Sequence, residues 1–151
     1  MRELPEGWEW KPLHELGQFG RGKSKHRPRN DPKLYGGLHP FVQTGDVRNA
    51  DGIIREFSQT YSELGLQQSK LWPQGTLCIT IAANIADTAI LGFDACFPDS
   101  VVGLVPNPSV CDVRWVNYFL QTVKRNLEYY APSTAQKNIN LKILYNVQVP
   151  L

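Results

Sequence analysis

Three short apolar segments in the middle of the chain constrain its fold more than any other feature. In the first, from Leu77 to Ile81, large apolar residues alternate with smaller ones, which is typical of a strand. The second runs from Thr88 to Leu91 and the third from Ser100 to Val105. We expect a turn around residues 84–87 to join the first two as a hairpin. The sequence therefore predicts a twisted, mixed or antiparallel sheet at the centre of the fold.

A strongly amphipathic segment follows these strands and predicts one long helix. Asp112 is placed to cap a helix that runs from Val113 to about Tyr130, and Pro132 ends it. The apolar side chains that recur on one face at helical spacing are Val116, Phe119, Leu120, Val123, Leu127 and Tyr130.

Shorter elements are expected on both sides of this central region. The predicted strands are Trp8–Trp10 with both indoles facing inward, His39–Thr44, Ile53–Phe57 and an extended Val147–Pro150. The predicted helical pieces are a turn after Pro12 that covers Leu13 and Leu16, a helix from Tyr61 to about Ser69 opened by a Thr60–Glu63 capping box, and Asn140–Leu144. Strands in runs, with helices between and after them, favour a single α+β domain over 1–151.

The basic residues are concentrated in one segment. Arg21–Lys33, called the basic segment below, holds Arg21, Lys23, Lys25, Arg27, Arg29 and Lys33, which is six of the chain's 16 Lys and Arg residues, against the single acid Asp31. The net charge of +2 is small, so the rest of the chain is net acidic and positive potential is focused here. Such a patch is typical of contact with a phosphate backbone. A solvated loop or flexible tail explains the charges about as well.

Glycine and proline residues throughout Gly20–Gly37 argue against a regular helix and predict a long surface loop. Loops of that length are usually functional or disordered.

A second polar segment, Ser133–Asn140, precedes the C-terminal apolar run. Its Gln, Lys, Asn and hydroxyl side chains can donate to and accept from base edges and phosphates. A polar loop whose side chains bond their own backbone is the simpler interpretation, and local chemistry alone favours it.

Catalysis and metal binding find little support in the sequence. Cys78, Cys96 and Cys111 are widely separated in apolar surroundings, so we expect buried thiols in a reducing compartment and no metal site. The histidines His14, His26 and His39 stand apart, and neither a nucleophile elbow nor a phosphate-binding loop is present. No apolar run is long enough to span a membrane and no signal region opens the chain, which predicts a cytoplasmic protein.

Several segments in order resemble a known family. The chain is similar to a target recognition domain from the specificity subunit of a type I restriction–modification system. The resemblance covers almost the whole chain and rests on Leu4–Leu13, Pro40–Val47, Lys70–Leu77, Phe97–Leu104, Ser133–Asn140 and Val149–Leu151.

This resemblance implies a non-catalytic α+β domain without a cofactor that reads one half of a bipartite site in double-stranded DNA. It implies methyltransferase and restriction subunits as partners in the full complex. Full subunits carry two such domains separated by long helices that pair as a coiled coil. No such helices follow Leu151, so we expect one excised domain or a half-subunit.

We place the DNA contacts at three sites. The candidate residues are Arg21, Lys23, Lys25, His26, Arg27 and Arg29 in the basic segment, Thr44, Gly45 and Asp46 in a nearby turn, and Ser133, Gln136, Lys137 and Asn138 in the closing segment. We assign base choice mainly to Arg21–Arg29, because a closing segment shared by domains that read different targets suits backbone contact better.

The alternative is a protein-interaction module whose basic segment binds an acidic partner. A hydrolase that uses one isolated histidine would require a deep polar pocket, for which the sequence gives no sign.

Overall fold

The computed structural model describes residues 3–81, 87–124 and 141–151. The strands in these ranges are β1 (Trp10–Pro12), β2 (Gly17–Arg21), β3 (Tyr35–Phe41), β4 (Ile53–Ile54), β5 (Gln59–Tyr61), β6 (Leu77–Thr80), β7 (Thr88–Leu91), β8 (Val101–Pro106) and β9 (Gln148–Pro150). The α-helices are α1 (Thr44–Arg48), α2 (Glu63–Gln67), α3 (Val113–Thr122) and α4 (Leu141–Tyr145). Single turns of 3-10 helix occupy Leu13–Glu15 and Pro32–Leu34.

Five strands form the central sheet, in the order β2-β8-β6-β7-β4. Its neighbours pair antiparallel except β4 and β7, which are parallel. Two further pairs flank it, β1 with β9 and β3 with β5, both antiparallel. The predicted α+β class, the mixed sheet and the three central strands are confirmed.

The core lies on both faces of this sheet because successive strand side chains point to opposite sides. Leu77 and Ile79 of β6 face a cluster that includes Val116 and Leu120 of α3. Cys78, between them in sequence, faces a second cluster built around Trp72 and Phe97. The alternating side chains of residues 77–81 therefore point into two different apolar layers, one on each face of the sheet.

The predicted helix is confirmed from Val113 to Thr122, but its predicted extent is wrong, because the backbone leaves the helical conformation at Val123 (φ −102°, ψ 9°), which forms the C-cap of α3. The Asp112 carboxylate accepts from the Arg114 backbone N–H at 2.9 Å, which caps α3 as predicted. Val116 and Leu120 are buried. The predicted continuation through Leu127 and Tyr130 to Pro132 lies outside the described residues, as do residues 84–86 of the predicted 84–87 turn and the Asn140 cap. The predicted turn after Pro12 is present, with Leu13 and Leu16 buried, and β9 and α4 appear where extended chain and a short helix were predicted.

Several predicted boundaries were wrong. Trp8 is not in a strand and is 47% exposed, because the chain turns at Gly7, with φ 88°, and the Trp8 N–H donates to the Pro5 carbonyl. The Thr60 capping box is also wrong, because Thr60 pairs in β5. The Ser62 hydroxyl caps α2 instead, accepting from the Gly65 N–H at 3.2 Å.

Two other predicted strands have different bounds in the structure. The strand expected over His39–Thr44 begins at Tyr35 and ends at Phe41, and the next residues enter α1. The strand expected over Ile53–Phe57 pairs with β7 only through Ile53 and Ile54.

The expected loop over Gly20–Gly37 is shorter than predicted, because both of its ends form regular structure. Residues Gly17–Arg21 form β2, the Pro32–Leu34 turn is helical, and β3 starts at Tyr35. At Gly17 a Cβ would lie 2.0 Å from the Val105 carbonyl oxygen, so this glycine allows close strand approach and does not break the strand. Only residues 22–31 remain irregular.

The three cysteines are buried and unpaired by disulfides, as predicted. Burial raises the pKa of the Cys78, Cys96 and Cys111 thiols. In the described ranges, no helix combines the length and the apolar character needed to cross a membrane.

Candidate nucleic-acid interface

The basic segment leaves the edge strand β2 and runs along one side of the central sheet. Its first residues continue the sheet pairing, because the Gly22 N–H donates to the Val101 carbonyl at 2.8 Å. Gly22 itself is buried, and a Cβ there would lie 2.2 Å from the Pro98 carbonyl oxygen. The second residue of the segment therefore has to be glycine for a steric reason.

Hydrogen bonds from the backbone of Lys23, Lys25 and His26 fix the following stretch to the body of the domain. The Lys23 N–H donates to the Phe97 carbonyl at 2.9 Å, and the Lys23 carbonyl accepts from the Ser69 hydroxyl at 2.6 Å. Two more bonds reach Gln68: the Lys25 N–H donates to its carbonyl at 3.3 Å and the His26 N–H to its side-chain oxygen at 3.0 Å. The segment is thus anchored on two sides, which rules out a flexible tail.

Contacts within the segment close its far end. His26 Nε2 lies 2.8 Å from the Asp31 carboxylate, which also accepts from the Lys33 backbone N–H at 3.0 Å. The Lys33 backbone bond, followed by the His26 side chain, holds the pKa of Asp31 below its usual value. The Tyr35 hydroxyl donates to the Arg29 carbonyl at 2.5 Å. His26 and Asp31 therefore shape the segment.

The five lysine and arginine residues of the basic segment that are predicted to contact DNA divide into two groups. Arg27 donates to the carbonyls of Ser24 and His26 at 2.8 and 3.0 Å, and Arg29 lies 3.4 Å from the Asp99 carboxylate oxygens. Both guanidinium groups are held in place. Within the part of the chain that the structure describes, Arg21, Lys23 and Lys25 have no ion pair. These three are referred to below as the free cations.

The second predicted site lies beside the basic segment. Thr44, Gly45 and Asp46 form the first turn of α1, not an isolated turn. The Asp46 carboxylate accepts from the Gln43 backbone N–H at 2.9 Å, so it stabilises the start of this helix. Thr44 shares a cavity of about 210 Å³ with Ser24 and Arg29 of the basic segment. The structure therefore brings the first two predicted sites together.

The third predicted site is the closing segment. Ser133, Gln136, Lys137 and Asn138 lie outside the described residues, so their DNA contacts stay predictions.

The cavity also contains residues that the sequence did not single out. Gln43 and Ser100 line it, and they arrive from loops that are distant in sequence. Gln43 lies within Pro40–Val47 and Ser100 within Phe97–Leu104, two of the segments that resemble the family. That resemblance was the signal in the sequence that could have pointed to them.

The histidines do not assemble a catalytic site. His14 Nδ1 contacts the Tyr145 carbonyl oxygen at 2.9 Å, and His39 Nε2 contacts Glu63 at 2.7 Å. Among the described residues no cluster of His, Cys, Asp and Glu could hold a metal ion.

Comparison with known proteins assigns the chain to a family. The family model for the type I restriction modification DNA specificity domain matches residues 5–151. The chain belongs to this family. It is 22% identical over 150 residues to the specificity subunit of the type I restriction enzyme HindI from Haemophilus influenzae. The aligned region covers 97% of this chain and 32% of that protein. It is 26% identical over 152 residues to the putative MjaX specificity subunit from Methanocaldococcus jannaschii, with coverage of 99% and 34%.

Solved structures agree on the fold. The HsdS subunit from Thermoanaerobacter tengcongensis matches with a TM-score of 0.75 at 24% identity, over 99% of this chain and 34% of that one. A chain from a study of complex assembly and conformational transition of the type I R-M system matches with a TM-score of 0.73 at 22% identity, over 99% and 35%. This chain therefore spans about a third of the length of the relatives that it matches. The matches confirm that it is a specificity domain and not a catalytic component of such a system.

Proposed function

We propose that this domain binds duplex DNA through the basic segment and reads one half of a bipartite target. The observation that carries the proposal is the arrangement of the free cations on a backbone that is fixed to the sheet. A segment held in this way presents its charges without a large ordering cost on binding, because the backbone is already restricted. Membership of a DNA specificity family makes a duplex the partner that such charges would contact.

The two groups of cations suit different contacts. The free cations Arg21, Lys23 and Lys25 suit phosphate contact, which fixes position and supplies sequence-independent affinity. The guanidinium groups of Arg27 and Arg29 are oriented by protein acceptors, and an oriented guanidinium suits a guanine edge.

The neighbouring sites take supporting roles. We assign Thr44 and Gly45 to the same DNA-facing surface, with Asp46 holding the start of α1 in place. Ser133, Gln136, Lys137 and Asn138 would add contacts to backbone or bases. In the longer protein implied by the relatives, methyltransferase and restriction subunits would assemble around the specificity subunit.

The test is a salt titration of DNA affinity with the free cations replaced. We expect Arg21→Gln/Lys23→Gln/Lys25→Gln to weaken binding to every duplex. Three lost phosphate contacts should reduce the slope of log K against log salt by about 2.7. Fluorescence anisotropy of a labelled duplex at several salt concentrations measures this slope.

The matched control removes the same charge elsewhere. Lys11, Arg55 and Arg114 lie outside the basic segment, and their combined change to Gln should leave most of the slope intact. Equal slopes for the two triple variants would contradict the assigned role. Competition separates the alternative function: an acidic polypeptide that displaces the domain from duplex at matched charge concentration would favour a protein partner.

A further inference from the structure

The cavity beside the basic segment has a composition that suits one nucleobase. Its volume is about 210 Å³, which is below the roughly 300 Å³ at the lower end of sites for drug-sized ligands. A whole nucleotide with sugar and phosphate would exceed it, whereas a single heterocycle is closer to its size. The walls come from Ser24, Arg29, Tyr35, Phe41, Gln43 and Thr44, with Pro98 and Ser100 closing it.

Three of the polar side chains that line the cavity are not used in hydrogen bonds of the fold. The hydroxyls of Ser24, Thr44 and Ser100 make no hydrogen bond with any described residue. Each hydroxyl can both donate and accept, and the Gln43 side chain carries an amide with the same dual capacity. Such a set matches a base edge, which presents donors and acceptors side by side. A phosphate presents acceptors alone and would be served better by donors alone.

The cavity walls are held rigidly. Phe41 is only 5% exposed and is stacked on Tyr61 with ring centroids 4.1 Å apart. The Tyr35 hydroxyl donates to the Arg29 carbonyl, and the Arg29 guanidinium in turn lies 3.4 Å from the Asp99 carboxylate. Rigid positioning of polar groups favours discrimination between bases, because a mismatched base then leaves a polar partner unsatisfied.

We propose that this cavity is a specificity pocket that receives one nucleobase of the target, with the Ser24 and Ser100 hydroxyls among the groups that read it. The proposal rests on the proposed DNA-binding function and adds a location for base choice. It extends base choice beyond the basic segment, which supplies Ser24, to residues of β3 and α1 and to Ser100, which directly precedes β8.

The experiment selects duplexes from a pool with a randomised central region, using the 151-residue chain. We expect Ser100→Ala and Ser24→Ala to reduce the preference at one base position about tenfold while other positions stay unchanged. The salt slope should also stay unchanged, because these side chains carry no charge. Ser100→Leu, which fills the cavity, should abolish the preference at the same position.

A matched control uses a hydroxyl outside the cavity. Ser58 is exposed and makes no hydrogen bond in the described structure, so Ser58→Ala should leave the selected motif unchanged. Thermal unfolding confirms that each variant is folded.

Three results would overturn the pocket. A motif that is the same for Ser100→Leu and the unmodified chain would exclude base reading there. A uniform loss of affinity for all sequences, with a lower salt slope, would indicate a phosphate in the cavity. Binding without any sequence preference in the unmodified chain would exclude a specificity pocket while leaving duplex binding intact. No duplex binding at all would instead refute the proposed function, together with the inference that rests on it.

Discussion

Replacing Gly22 with alanine tests whether steric fit fixes the basic segment to the sheet. The added Cβ would lie 2.2 Å from the Pro98 carbonyl oxygen and 2.4 Å from that of Phe97. Ordinary carbon–oxygen contacts begin near 3.3 Å, so one backbone segment has to move by about 1 Å. Both opposing atoms belong to backbone, which cannot rotate away as a side chain end would.

The movement would break two hydrogen bonds. The Gly22 N–H to Val101 and Lys23 N–H to Phe97 bonds are 2.8 and 2.9 Å long, and lengthening them by about 1 Å takes both beyond bonding distance. Their loss costs about 2 kcal/mol together, and residual crowding adds about 1 kcal/mol or more. We therefore expect the free energy of unfolding to fall by about 3 kcal/mol and the melting temperature to fall by roughly 6–12 °C.

Gly20→Ala is the matched control two residues earlier. Its Cβ would meet only the Trp72 ring at 3.7 Å, an ordinary contact. We expect this variant to be unchanged or up to about 1 kcal/mol more stable, since alanine restricts the unfolded chain. Urea unfolding followed by circular dichroism measures both variants. Equal stability of Gly22→Ala and Gly20→Ala would refute the steric argument.

Three further predictions concern the scaffold. Phe97→Ala should lower the free energy of unfolding by about 3–5 kcal/mol, because this fully buried ring stacks on Trp72 at 4.9 Å; urea unfolding measures it. Asp112→Ala removes the α3 cap and should cost about 1 kcal/mol in the same assay. Asp31 has a lowered pKa, so its stabilising contribution is complete above the ordinary value and is lost as pH falls through the lowered one. Unfolding measured across acidic pH should show a smaller pH dependence for Asp31→Asn.

Each of these has a clear opposing result. Loss of less than about 1 kcal/mol in Phe97→Ala would mean that the second core layer is not tightly packed. An Asp112→Ala variant as stable as the parent would show that the Asp112 cap does not stabilise α3. Identical acid profiles for the parent and Asp31→Asn would show that this carboxylate gains nothing on folding.

The central sheet could be predicted because its signals are local. Leu77–Ile81 alternates at the period of a strand, and Asp112 stands directly before a segment with helical spacing. Both features depend on residues that are neighbours in sequence, and the structure confirmed them.

The failures share a physical cause, which is long-range pairing. Gly17 and Gly20 are typical of loops in isolation, yet they lie in a strand because β8 supplies the partner more than 80 residues later. Thr60 lost its predicted capping role because β3 recruits it into a sheet. No local pattern contains either partner.

The candidate site was only partly accessible for the same reason. Charge density revealed the basic segment, but the contacts that hold it come from Gln68, Ser69 and Phe97. Ser100 lies in the family-like segment Phe97–Leu104, but its place in the cavity became visible only in the fold, because no local pattern brings it next to Ser24 and Thr44.

The most direct test of the central claim is to map which backbone amides respond when duplex DNA is added to the isotopically labelled domain. NMR shift perturbations should concentrate in residues 21–29 and 43–46 and around Ser100, and they should diminish as salt is raised. Trp8 and Trp115 pack against each other with ring centroids 6.0 Å apart, and their amides should remain unchanged. Perturbations centred on that aromatic pair, with the basic segment unaffected, would contradict the account.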